Sequence, residues 1–248
     1  MSEKAEAIVI RQADFSESSR VVTLFSREFG KVPVLAKGAK RLKGPFDAAL
    51  DLLSTCRIVF LRKSSGALSL LTQAQLVARF APVPTSLNSL YGGYYVADLL
   101  NGLTEDFDPG PQLFDLAAQT LRDLADPSCD PAVVIVQFEV GLLEQIGLFP
   151  DLSACSVCGS VVDSHEQFAH WVSQGGLLCG DCRKAEYSGR SISGGSVSVL
   201  KRMTDNESTL AGRLKLTKDQ IKECHQLAVS AITGVLGRKP ATLRYLNF

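Results

Sequence analysis

The 248-residue chain carries 26 Lys+Arg against 26 Asp+Glu, 46% hydrophobic residues and seven cysteines. That length and apolar content support a substantial core in one large domain or two to three small ones. The acid-bearing start, MSEKAEAIVI, is no signal peptide, and the most apolar stretch, 131–138, is too short to span a membrane. The zero net charge is a sum of unlike parts: residues 1–80 are net +6, 81–154 net −10 and 155–248 net +4. Such segregation points to a basic functional face at the N-terminus. The acidic middle reads as a solvated helical surface that repels nucleic acid or receives a basic partner.

Residues 5–13 alternate around Ala7, Val9 and Arg11 and predict a strand. A turn at 14–17 leads to a second strand, 20–25. Gly30 marks the next turn, and 32–36 is a third strand whose Pro33 favours an edge or bulge. A basic loop follows, with Lys37, Lys40, Arg41 and Lys43 beside Gly38 and Gly44. Residues 56–62 and 68–79 pair as a hairpin across 63–66. Five short strands in about 80 residues are most economically closed as an OB-type barrel, which removes free edges.

After Pro82 and Pro84 the period turns helical. Thr85 or Ser86 caps a helix through Leu90, Tyr94, Ala97 and Leu100. Residues 106–111 break it, and 113–124 form the next helix. Asp130-Pro131 opens a third, which stops at Gly147. A short helix is expected over 196–203. Thr217 and Gln220 match a capping box before the apolar stripe of Ile221, Cys224, Ala228, Ala231, Ile232 and Val235.

The strongest chemical signal lies between the third and fourth helices. Cys155-x-x-Cys158 and Cys179-x-x-Cys182 are separated by twenty residues. Two such turns bring four thiolates to one point, the tetrahedral set that Zn²⁺ accepts. Gly159, Gly175, Gly176 and Gly180 supply permissive backbone. Because all four positions are sulfur, the expected ion is one structural zinc per chain, with no position open to water. His165 and His170, between the pairs, read as ordinary residues of the finger. Metal-free thiols, a redox pair and a zinc deaminase are the alternatives. The latter two lack their context: there is no thioredoxin-like pattern, no H-x-E and no proline directly before either pair. Cys56, Cys129 and Cys224 read as small buried hydrophobes. Cysteine usage fits a reducing compartment, and the expectation is a soluble cytoplasmic protein.

The loop 37–43 is the second signal. Four cations within seven residues beside a small barrel form a phosphate-tracking device. Arg11, Arg20, Arg62 and Lys63 extend the candidate face, and Phe15 and Phe46 are candidates to stack on bases or to fill the core. Catalytic signals are poor. No G-x-S-x-G and no phosphate-cradling G-x-x-x-x-G-K-[ST] occurs. His225 lies on the capped helix, and Glu105, Asp106 and Asp108 read as solvated loop acids.

These residues resemble a known family, the bacterial recombination mediator RecO, over nearly the whole chain. The resemblance rests on AEAIVIRQADFSESSRVVTLFSREFGKVPVLAKGAKRLKG, LSLLTQAQLV, GPQLFDLAAQTLRDL, FEVGLLEQIGLFPDLSACSVCG and GGLLCGDC. Its most specific parts are the A-K-G-A-K-R loop and the G-x-x-P-x-L-x-x-C-x-x-C lead into the finger. It implies an α+β chain: an N-terminal OB-fold DNA-binding domain over 1–80, then an α-helical domain over 81–248 carrying a four-cysteine zinc finger at 151–187. With no active site legible, the expectation is a non-enzymatic protein; the resemblance implies binding of single- and double-stranded DNA and annealing of complementary strands without ATP. It also implies work with RecR, and with RecF in many bacteria, to load RecA on DNA coated by single-stranded DNA-binding protein. Some family members hold the acidic tail of that coating protein on basic residues of the helical domain. Residues 81–154 offer only Arg122 for this, unless Lys201, Arg202, Lys215 or Lys222 supply the charge, and no residue is assigned to it. The rival classes are a zinc-ribbon scaffold for protein contacts and a nuclease or hydrolase.

Overall fold

Five strands that each bury one flank or both build the first half of the molecule. In the computed structural model, residues 2–41, 46, 49–63, 67–163, 166–171, 176–184, 191–204 and 215–247 are described. The chain folds as two compact units, Met1–Asp126 and Pro127–Phe248.

The first unit opens with β1 (Ser2–Asp14), β2 (Arg20–Ser26), β3 (Gly30–Ala36), β4 (Thr55–Leu61) and β5 (Ser69–Ala78). They close as a barrel in the order β1-β2-β3-β5-β4. Every neighbouring pair is antiparallel except β3 and β5, which run parallel over only 34–36 against 69–71. This is the expected OB-type arrangement. Pro33 stands opposite Thr23 just before β5 joins β3, so its missing N–H costs no bond on the β5 side. Ala7 and Val9 fill the barrel with Val22, Leu24, Val32, Val34, Ile58 and Phe60. Ile8 and Ile10, on the other flank of β1, are buried too, because helix α1 packs against β1. Phe46 is 4% exposed and belongs to the barrel core. Of the two readings of Phe46, packing is therefore the one realised: Phe46 enters the barrel core together with Ala49 and Leu50.

Two helices belong to this unit: α1 (Leu87–Leu103) and α2 (Pro111–Ala125). Ser86 caps α1 by accepting from the Ser89 N–H, and Ser89 Oγ donates to Leu124 O of α2. Two barrel cations hold the helical segment. Lys31 Nζ donates to Asn101 O and Thr104 O and lies 3.6 Å from Asp106. Arg27 grips both carboxylate oxygens of Asp115 at 3.0 and 2.8 Å. The basic partner of the acidic middle is thus, in part, the barrel itself. Gly30 is required where this seam is tightest. Its φ is +62°, and a Cβ there would lie 1.7 Å from Asp108 O.

The second unit is built from α3 (Pro131–Gln145), a four-stranded sheet, α4 (Gly194–Thr204) and α5 (Lys218–Leu236). Asp130 caps α3. The predicted capping box of α5 is present in both directions, between Thr217 and Gln220. The sheet contains β6 (Asp151–Cys155), β7 (Gln167–Trp171), β8 (Gly176–Leu178) and β9 (Ser191–Ser193) in the order β6-β8-β7-β9. Leu152, Phe168, Leu177 and Ile192 from the sheet meet Val136, Val140, Leu200, Ile221 and Leu227 from the helices in one core. Glu223 joins α5 to β9 and α4: it accepts from the Ser193 N–H and from Ser193 and Ser196 Oγ at 3.0, 2.7 and 2.6 Å. Among the described residues no helix is long and apolar enough to cross a membrane.

Candidate nucleic-acid interface and metal centre

The four cysteines meet at the ends of neighbouring strands. Cys155 closes β6, Cys158 lies in the turn after it, and Cys179 and Cys182 follow β8. Because β6 and β8 pair directly, the two C-x-x-C turns converge. All four Sγ atoms lie within 4.8 Å of one another, and those of Cys158 and Cys179 are 3.6 Å apart. A tetrahedral ion with bonds of about 2.3 Å to sulfur requires edges of about 3.8 Å. The cluster can therefore hold a metal ion and fits zinc. Gly159 takes the left-handed conformation, φ +74°, as it leaves the first turn, and its N–H donates to Cys155 O.

The thiols are electrostatically uneven. Burial raises Cys155, but N–H donors of Cys158, Cys179 and Val157 outweigh this and lower it to about 6. Ser160, through its hydroxyl and backbone, lowers Cys158. Contact with the sulfurs of Cys158 and Cys179 pushes Cys182 up to about 12. A divalent cation would relieve the crowding of these four sulfurs. His170 sits buried on β7 as part of the sheet, and His165 lies outside the described residues. Burial drives Cys56 and Cys224 up to about 12, which fits their reading as buried hydrophobes; Cys129 is half-buried.

The cations gather differently. The β1–β2 loop, 15–19, is closed by the N–H groups of Phe15 and Ser16 on Ser19 O and by Ser19 N–H on Ser16 Oγ. The turn after β3 folds against it. Lys40 N–H donates to Ser18 O, and its Nζ reaches Ser16 O at 3.4 Å and Asp14 Oδ2 at 3.0 Å. Asp14 also accepts from Arg20 Nε at 3.3 Å, while Arg20 reaches Gln12 Oε1. The Lys40 bond, helped by Arg20, holds the Asp14 carboxyl below its ordinary 3.8. Lys37 and Arg41 are exposed in the same turn. The structure thus brings Arg20, Lys37, Lys40 and Arg41 to one end of the barrel. Lys43 lies outside the described residues. Arg11 is exposed on β1 opposite Thr23. Arg62 is engaged elsewhere, 4.3 Å above the Phe107 ring, with the exposed Lys63 after it. Phe15 remains 62% exposed at the loop tip.

Sequence reasoning missed two features. Asp14 was only part of a turn, yet it ties together two of the candidate cations. Glu139, fully buried on α3, bonds His225 Nδ1 of α5 at 2.9 Å. The sequence signal for the latter was an acid inside the apolar run of α3; its partner lies 86 positions away.

With this geometry in place, comparison with known proteins is decisive. Residues 1–80 match the family model described as "Recombination protein O N terminal", and residues 84–244 match "Recombination protein O C terminal". The chain belongs to the RecO family. It is 36% identical over 198 residues to the DNA repair protein RecO of Rhodopirellula baltica, covering 79% of this chain and 73% of that one. The DNA repair protein RecO of Halalkalibacterium halodurans is 38% identical over 182 residues, covering 73% of this chain and 69% of its own. That of Listeria monocytogenes is 34% identical over 180 residues, with 73% and 68% covered. RecO membership supports a role in DNA repair and recombination, and the two family models abut where β5 gives way to the helices.

Proposed function

We propose that this RecO-family protein is a non-enzymatic, DNA-binding recombination mediator. It binds single- and double-stranded DNA and anneals complementary strands without ATP. With RecR, and RecF where that protein is present, it helps to load RecA on DNA coated by single-stranded DNA-binding protein. The observation that carries the reading is the cluster of Arg20, Lys37, Lys40 and Arg41 at one end of the barrel. Phosphates meet these cations, counterions are released, and two strands held on such surfaces no longer repel each other fully. Lys43 and Arg11 extend the contact to longer DNA, whereas Arg62, stacked on Phe107, and the adjoining Lys63 lie away from this cluster. The phosphate contacts carry no base information, so binding is general in sequence.

In this reading the barrel domain, 1–80, touches DNA and 81–248 is the partner-bearing helical domain with the finger at 151–187. The four cysteines hold one structural zinc, which fixes β6 to β8 and contributes folding energy to the second unit. Binding of plain oligonucleotides, followed as a function of salt, tests the function. Affinity that falls steeply with salt, without cleavage in the presence of magnesium, supports it. A protein that binds no oligonucleotide at low salt would be a scaffold, and one that cuts DNA would be an enzyme.

A further inference from the structure

The tip of the β1–β2 loop carries a feature that charge does not explain. Phe15 is a large apolar side chain left 62% exposed, whereas Phe25, Phe46, Phe60, Phe138 and Phe168 are buried. Its backbone is nevertheless fixed, by the two N–H bonds to Ser19 O and the Ser19–Ser16 bond that close the loop. The same loop is joined to the cationic turn through three Lys40 contacts: its N–H to Ser18 O, and its Nζ to Ser16 O and Asp14. The loop that bears Phe15 and the turn that bears the exposed Lys37 and Arg41 are therefore tied to each other at one end of the barrel. A projecting aromatic face beside cations suits a ligand with flat π-faces spaced along a chain of anionic charge, which is single-stranded nucleic acid. In a duplex the base faces are already stacked on one another, and only the phosphates are offered.

We propose that Phe15 is the base-stacking platform of this surface and sets its preference for single strands over duplex. The proposal rests on the DNA-binding reading above. Lys37 and Arg41 hold phosphates in either kind of DNA; Phe15 adds a contact that only an unpaired base can make.

The test compares wild type, Phe15→Ala and Phe15→Trp on a structureless single-stranded oligonucleotide and on a blunt duplex of equal length. Phe15→Ala should weaken single-strand binding roughly five- to 150-fold and leave duplex affinity and the salt slope unchanged. Phe15→Trp should retain single-strand affinity. Its added fluorescence, read against the single tryptophan of the wild type, should be quenched by the single strand and not by the duplex. Equal losses on both DNAs, or full single-strand affinity of Phe15→Ala while the wild type binds DNA, overturn the assignment and leave the DNA-binding reading standing. Annealing lost with single-strand binding intact would make Phe15 a protein-docking residue, and also overturns it. A wild type that binds neither DNA sinks both readings.

Discussion

Asp14 should act as a brake on the proposed DNA surface. It occupies Lys40 at 3.0 Å and Arg20 at 3.3 Å, so neither cation is fully available to a phosphate. Replacing Asp14 by Asn keeps the shape and removes the competing charge. Each phosphate contact with a single strand contributes about −0.7 to the slope of log K against log salt. Freeing two cations should steepen the slope by up to roughly 1.4, and over a fourfold salt range that is about a sevenfold difference. The Lys37→Ala/Arg41→Ala variant removes two exposed cations and should flatten the slope by roughly 1.4. Lys40→Ala alone should do less, because its charge is already spent on Asp14. Replacing all four of Lys37, Lys40, Arg41 and Lys43 should flatten the slope by roughly 1.4 to 2.8. Fluorescence anisotropy of a labelled oligonucleotide across a salt series reads each slope. Thermal stability should change little, since exposed ion pairs contribute little. An Asp14→Asn slope equal to or shallower than wild type refutes the brake. Loss of slope on replacing Lys201, Arg202, Lys215 and Lys222, with the loop variants unaffected, would move the DNA surface to the other end of the chain.

Metal analysis should find one zinc per chain with four sulfur ligands, and nitrogen ligands in the absorption spectrum would contradict the cysteine set. Cys155→Ser or Cys179→Ser should loosen the β6–β9 sheet while the barrel stays folded, and acid should release the metal as the thiolates protonate. Glu223 should make the second unit acid-sensitive. Partial burial raises its carboxyl, but the Ser196 and Ser193 bonds outweigh this and hold it below its ordinary 4.5. A depressed carboxyl stabilises the fold above its unfolded value and loses that contribution as pH falls through the folded one. Glu223→Gln should therefore cost about 1–2 kcal/mol at neutral pH and flatten the melting profile below 4.5; an unchanged acid limb would show that the three bonds do not matter. His225→Ala should cost about 1–3 kcal/mol by removing the 2.9 Å bond to buried Glu139, and more than a paired Glu139→Leu/His225→Leu change. The reverse order in urea melts would remove that pair from the stability of the α3–α5 contact.

The barrel was legible because its strands alternate and its turns carry their own glycines. All five strands fall within a few residues of the sequence reading, the Asp-Pro start placed α3 and the capping box placed α5. The four-cysteine cluster was legible because two C-x-x-C turns encode their own geometry. What stayed hidden was non-local. The sheet around the cysteines uses strands of three to five residues, too short for a period to show. Phe46 lies in a polar, glycine-bearing stretch, so only the closed barrel shows that it belongs to the core. Arg27 and Lys31 counted only toward the positive charge of residues 1–80, and nothing local announced that the folded unit spends them on Asp115 and Asp106. Asp14 and Glu139 were single acids whose meaning comes from partners brought by topology.

Annealing of complementary oligonucleotides by the purified protein, with and without ATP and with the strands free or coated by single-stranded DNA-binding protein, tests the central claim most directly. Annealing should accelerate equally with and without nucleotide on free strands and persist on coated ones. It should fall in step with the salt slope in the Lys37→Ala/Arg41→Ala variant. An absolute requirement for ATP, or a wild-type rate no faster than spontaneous annealing, would contradict the account.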